Sequence, residues 1–156
     1  MTKIQTATSR DLPEVVQWLK DEEDEAGEGL YCNRNVISRS FEAGEALCAV
    51  EENQIVGFVI FQMFIDGGDV NIVEVKPSAR RRGLGHQLLD AAVNHLRKQG
   101  AKYVDAECTS QEGEILCRSH GFEDYVDPRN QRNEWDNPTL RRYLLSWRPK
   151  PPHPWA

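Results

Sequence analysis

The sequence predicts a single α/β domain in which a mostly antiparallel sheet of about six to seven strands is flanked by helices. Three observations point to it. The chain has 156 residues, 39% of them hydrophobic and 28% charged. That is one domain by size, able to bury about 70% of its unfolded surface. Segments that alternate with period two are interleaved with segments of helical period. Three strand-like runs between Ala46 and Val75 also follow one another through short turns, the pattern of an antiparallel meander.

Taken in order, Ile4-Gln5-Thr6-Ala7-Thr8 alternates as a first strand. Leu12, Val15, Val16 and Leu19 then recur at helical spacing, with Ser9 or Asp11 as cap and Pro13 in the first turn. The acidic run from Asp21 to Gly29 repels itself and predicts a loop or a frayed helix end. A short helix is expected from Asn35 to Ala43. Ala46–Glu51 and Gln54–Ile65 read as strands joined by Glu52-Asn53, and Asp69–Val75 follows the Asp66-Gly67-Gly68 turn. Leu84, Leu88, Leu89, Ala92, Val93 and Leu96 mark the clearest helix, which Gly100 closes. Tyr103–Cys108 reads as a strand and Gln111–His120 as a short helix ending at Gly121. Phe122–Val126 and Leu140–Trp147 read as the last strands. Between them lies a long polar loop, Asp127–Thr139, containing Trp135; loops of that length are usually functional or mobile. The domain therefore runs from residue 1 to 147, and residues 148–156 form a Pro-rich tail expected to adopt polyproline II.

Composition narrows the partners. There are 19 basic and 25 acidic residues and a net charge of -6, which argues against nucleic-acid binding through a basic surface. The longest apolar run, Ile55–Phe61, is far short of the ~20 residues a membrane helix needs. Met1-Thr2-Lys3 leads into Ile4-Gln5-Thr6-Ala7-Thr8 rather than an apolar stretch, so no secretory leader is read. Cys32, Cys48, Cys108 and Cys117 form no CxxC pair and no zinc spacing. Reduced thiols, a cytoplasmic location and no metal are the expectations.

The informative stretch is Val73-Glu74-Val75-Lys76-Pro77-Ser78-Ala79-Arg80-Arg81-Arg82-Gly83-Leu84-Gly85-His86. A strand ends, a loop turns, and an amphipathic helix begins at two glycines. Helix N-termini expose unpaired N–H groups and carry roughly half a positive charge, so they bind anions. Three arginines there oppose the dipole, at about 0.3–1 kcal/mol each, unless an anion arrives or the turn is simply solvated. Neither the dinucleotide fingerprint nor the P-loop fits this spacing.

Arg80-x-x-Gly83-x-Gly85 after Val75-Lys76-Pro77 resembles motif A of the GNAT superfamily of acyl-CoA-dependent N-acetyltransferases. Gln54-Ile55-Val56-Gly57-Phe58 resembles that family's preceding strand, Cys108–Phe122 its motif B, and Thr8–Pro13 its usual opening. The resemblance extends to about Trp147. It implies a mixed sheet splayed between the fourth and fifth strands, with the pantetheine arm of acetyl-CoA in the gap. By resemblance, the backbones of Val73 and Val75 bind the arm. The amides of Arg81, Arg82, Gly83, Leu84, Gly85 and His86 cradle the pyrophosphate, Arg80 and its neighbours reach the phosphates, and Ser110 touches the arm.

The implied reaction is direct attack of a primary amine on the acetyl thioester in a ternary complex. The acceptor is a small molecule or a peptide, made nucleophilic by loss of a proton from a pKa near ~10.4. Asp69 stands where the family carries its proton-accepting carboxylate; it equally reads as the end of the Gly67-Gly68 turn. Many members protonate the leaving thiolate with a Tyr four residues before the motif-B glycine, and here that position is Cys117, which equally reads as a small buried hydrophobe. Tyr125 or Tyr143 is an alternative hydroxyl. The alternative to an enzyme is an acyl-CoA-binding module or sensor that has lost catalysis. The acidic run and the loop around Glu134, Trp135 and Asp136 frame the acceptor side, where carboxylates favour a cationic amine. His86, His95 and His120 are not read as a set. Oligomeric state stays open, with a homodimer, common in this family, as one option.

Overall fold

A computed structural model describes residues 1–108, 110–124 and 143–148, with the backbone alone for Tyr143 and Leu144. The elements are β1 (Lys3–Thr6), α1 (Leu12–Ala26), α2 (Arg34–Glu42), β2 (Ala46–Glu51), β3 (Gln54–Met63), β4 (Gly68–Val75), α3 (Leu84–Lys98), β5 (Val104–Cys108), α4 (Gln111–Ser119), β6 (Glu123–Asp124) and β7 (Tyr143–Trp147). One sheet runs in the order β1-β2-β3-β4-β5-β7-β6. Every pairing is antiparallel except β4 with β5, so the sheet is mixed, as the resemblance implies.

The apolar run Ile55–Phe61 is buried along its whole length, because it lies at the sheet centre with helices on both faces. Val59 and Phe61 pack towards α3 with Leu84, Leu88 and Leu89. Phe58 and Ile60 pack on the other face, where Trp18 of α1 and Phe41 of α2 each bring a ring centroid to 5.8 Å from Phe58. Gly57 lets this packing close up: a Cβ there would lie 3.0 Å from both Leu88 Cδ1 and Glu74 O.

Two features of β4 position the site. It pairs with β5 only from Gly68–Val70 against Val104–Ala106, and beyond that the two strands part into a wedge. The register with β3 also shifts, Ile60 facing Ile72 while Phe61 faces Val70, which makes Asn71 a bulged residue. The bulge reverses the alternation. Val70, Val73 and Val75 pack with the α3 layer, whereas Ile72 packs with the α1/α2 layer. Asp69 and Glu74, which face Gln62 and Phe58, fall on that second side.

Of the two expectations for the acidic run, the loop is corrected: Asp21–Glu25 form the end of α1, which continues to Ala26. Gly27 closes it at φ 76°, donating its amide to Glu23 O at 2.8 Å. The acidic side chains spread around the helix, and Glu22 finds a cation in Arg80. The loop 127–139, Tyr125 and the tail from residue 149 lie outside the described residues.

Candidate active site

The wedge and the turn after β4 share one continuous depression. A cleft of about 560 Å³ runs along the α3 N-terminus, and a cavity of about 330 Å³ reaches between β4 and β5. Val73, Glu74, Ser110, Gly113 and Leu116 line both. The backbone on the wedge side follows from alternation. Lys76 donates its amide to Val56 O at 2.8 Å, so Glu74 and Ile72 direct their backbone groups to β3. Those of Val73 and Val75 face the wedge, where β5 has already departed. The Val75 carbonyl accepts from Arg80 Nε at 2.9 Å; the remaining groups are open to a ligand strand or arm.

At the mouth, Gly83 caps α3 at φ 79°, a left-handed conformation costly for any residue with a Cβ. The first helical hydrogen bond is Gln87 N to Gly83 O at 3.1 Å, so the amides of Leu84, Gly85 and His86 lack helical acceptors and present positive partial charge. Gly85 lines the cleft, and a Cβ on it would meet Leu116 at 3.6 Å. That absent methyl leaves room beside the α3 amides. Ser110 caps α4, its Oγ accepting from Gly113 N at 3.0 Å, which leaves the hydroxyl proton for a ligand.

The three arginines divide. Arg80 binds Glu22 at 2.8 Å and Glu74 at 2.7 Å. Arg82 turns to Glu51, at 2.7 Å. Arg81, at φ 64°, lines the cleft, and among the described residues no carboxylate pairs with it. The cleft therefore gathers the α3 amides and the Arg81 guanidinium beside the carboxylates of Glu74 and Glu112.

A family model described as acetyltransferase (GNAT) family matches residues 6–122. The chain belongs to that family. No curated protein matches the sequence. Among solved structures, the GNAT chain resembles N-acetylglutamate synthase from Neisseria gonorrhoeae, complexed with coenzyme A and N-acetyl-glutamate, with TM-score 0.72 and 22% identity. That match covers 94% of this chain and 34% of the other, so this chain spans about a third of that protein. Drosophila melanogaster polyamine N-acetyltransferase matches with TM-score 0.71 and 14% identity, over 95% of this chain and 100% of that one. PaiA N-acetyltransferase from Thermoplasma acidophilum, in complex with coenzyme A, matches with TM-score 0.67 and 14% identity, over 95% and 99%.

On the α1/α2 side of this GNAT wedge the groups are acidic. Asp69 sits at the closed base, in register with Asp105 of β5. Burial raises its pKa, and the charges of Asp105 and Glu107 raise it further. Glu74 is a residue the sequence reading did not single out. Burial pushes its pKa up to about 7, Glu22 adds to the rise, and Arg80 opposes it. The available signal was its place between Val73 and Val75, which alternation sends to the opposite face.

Cys117, at the position where many GNAT members have Tyr, is buried with its sulfur 3.8 Å from Cys108 Sγ. Hydrogen bonding to Cys108 and burial push its pKa well above the ordinary thiol range. Tyr125 lies outside the described residues, and Tyr143 is described by its backbone alone. The histidines need one correction. His86 and His120 do form a pair, with rings stacked at 5.0 Å and 28° between planes, because the α3 N-terminus meets the end of α4. Burial lowers the His120 pKa, and His86 lowers it further.

Proposed function

We propose that this chain transfers an acetyl group from acetyl-CoA to the primary amine of a cationic small molecule or peptide, by direct attack in a ternary complex. Family membership supports acetyl transfer in general. The observation that carries the finer reading is the two-faced wedge. One side offers unpaired backbone groups of Val73 and Val75, the amides of Leu84, Gly85 and His86, and Arg81. The other offers Glu74 and Glu107, which line the cavity between β4 and β5, with Asp69 and Asp105 beyond it where the two strands still pair. The first suits a phosphate-bearing thioester and the second a cation.

In this reading, the Val73 and Val75 backbones hold the pantetheine arm and Ser110 donates to it. The α3 amides and Arg81 hold the diphosphate. Asp69 takes the proton of the acceptor amine, directly or through a water; its raised pKa makes it a stronger base than an ordinary aspartate. Glu74 attracts the cationic acceptor. Cys117 holds its proton too tightly to protonate a thiolate, so coenzyme A leaves as the thiolate.

The test is incubation with acetyl-CoA and a panel of polyamines, aminoglycosides, amino acids and peptide N-termini, following free thiol. Thiol release with a cationic amine is the expected outcome, and silence across the panel counts against the reading. The buried Cys117 favours one alternative, an acyl-CoA-binding module that has lost catalysis. That alternative predicts coenzyme A binding without turnover, and no effect of Asp69→Asn.

A further inference from the structure

Cys108 ends β5 and Cys117 sits on the last turns of α4, which packs against β5, so their side chains meet on the β5 side of the wedge. Their sulfurs lie 3.8 Å apart. Both residues line the 330 Å³ cavity, although Cys108 is only 5% and Cys117 6% exposed. A disulfide requires a sulfur separation of about 2 Å, within reach of side-chain rotation and a small approach of α4 to β5. The other two cysteines differ. Cys48 is fully buried in the α1/α2 layer, where burial pushes its pKa up to about 12. Cys32 is exposed, with Asn33 Oδ1 at 3.2 Å.

We propose that Cys108 and Cys117 are a reactive dithiol that closes to an intramolecular disulfide by exchange with a small-molecule disulfide admitted to the wedge cavity. The roles follow from the contact. The neighbouring Cys117 thiol holds Cys108 below the ordinary thiol range, so Cys108 supplies the thiolate. Its sulfur attacks one sulfur of the small disulfide, the S–S bond breaks, and one thiol leaves after taking up a proton. With Cys108 in the mixed disulfide, the hydrogen bond to Cys108 that chiefly raises the Cys117 pKa is gone; Cys117 then attacks the Cys108 sulfur, and the second small thiol leaves with the Cys117 proton. Two protein thiols are oxidised, and one small disulfide is reduced to two thiols. The product ties α4 to β5. Because α4 carries Gly113 and Leu116, which line both cavities, the bond fixes where that part of the cavity lining stands against β5. This inference stands on the sulfur geometry and does not depend on what ligand the wedge holds.

The experiment treats the full chain carrying Cys32→Ser with 2-hydroxyethyl disulfide, removes excess reagent, unfolds the protein, alkylates remaining thiols and maps peptides. The expected result is a mass decrease of about 2 Da before alkylation, a peptide linking Cys108 to Cys117, and Cys48 recovered as the alkylated thiol. Adding Cys117→Ser should trap a mercaptoethanol adduct on Cys108, whereas adding Cys108→Ser should leave Cys117 unmodified. A stable single adduct on either cysteine in the presence of both, or recovery of both as free thiols, overturns the proposal.

Discussion

Glu74→Gln should make the protein more stable, by an amount that grows as pH rises from about 4.5 and levels off above about 7. Glu74 is largely buried, with a side-chain exposure of 15%, and its pKa rises from 4.5 to about 7. One pH unit of displacement is worth about 1.4 kcal/mol. The ionised side chain therefore costs the folded state on the order of 3 kcal/mol. Below the unfolded value both states hold the proton and nothing is lost. Between about 4.5 and 7 the native state keeps a proton that the unfolded chain has released, so stability falls as pH rises. Above about 7 the loss is complete and constant. Glutamine preserves the shape without the titration, and Arg80 keeps Glu22 as its partner. Urea unfolding of both proteins across this range isolates the group, because other titrations cancel in the difference. The stability gap should widen by about 3 kcal/mol between pH 4.5 and pH 8. A gap that stays constant, or narrows as pH rises, refutes the assignment of a buried, costly carboxylate at this position. The same variant should raise KM for a cationic acceptor, since the charge it removes is the one that faces the acceptor side.

Gly85→Ala should leave the melting temperature unchanged or higher, because its Cβ makes an ordinary contact with Leu116 at 3.6 Å and alanine favours helix. The same methyl fills the cradle, so the Kd for acetyl-CoA should rise at least about tenfold by calorimetry. Asp69→Asn should lower kcat by roughly 10²-fold with little change in KM for acetyl-CoA, as expected for a lost proton acceptor in steady-state assays. Arg81→Ala should weaken acetyl-CoA binding by about 5- to 10-fold, whereas Arg82→Ala, which breaks the Glu51 pair and a 3.4 Å hydrogen bond to Ala79 O, should weaken it less than about 2-fold; equal losses would show that Arg82 leaves Glu51 when the ligand arrives.

Much of the scaffold is written locally in the sequence. The run Ile55–Phe61 announces a strand buried on both faces. Leu84, Leu88, Leu89, Ala92, Val93 and Leu96 announce the helix behind it, and all six are buried. The cradle was legible as Arg80-x-x-Gly83-x-Gly85 because backbone conformation there demands glycine within a few residues. What escaped depends on distant partners. The acidic run folds as helix although its own charges oppose that, since Glu22 meets Arg80, 58 residues away. Cys108 and Cys117 are close in sequence, but only the packing of a helix against a strand brings their sulfurs together. Glu74 is an ordinary strand residue until Glu22 and burial raise its pKa.

On the proposed function, the bulge at Asn71 lets one strand serve two ligands. With strict period two, Asp69 would share a face with Val73 and Val75 and compete with the cofactor's anionic groups. The extra residue sends Asp69 to the side of Ile72 and Glu74, the face that packs on α1 and α2. The partition matters because Coulomb repulsion grows as separation shrinks, and a carboxylate on the face of Val73 and Val75 would stand nearer a bound anion. A carboxylate on the wrong face would repel the diphosphate that Arg81 and the α3 amides attract. On the correct face it opposes only its own neighbours, Asp105 and Glu107, and the repulsion raises its pKa. A proton acceptor for an amine needs that higher basicity. The arginines differ in their partners. Glu22 and Glu74 hold Arg80, which still lines the cleft, and Glu51 holds Arg82. The net charge of -6 is thus compatible with an anion cradle, because backbone amides supply most of the cradle's positive potential, and their dipoles stay fixed at any pH.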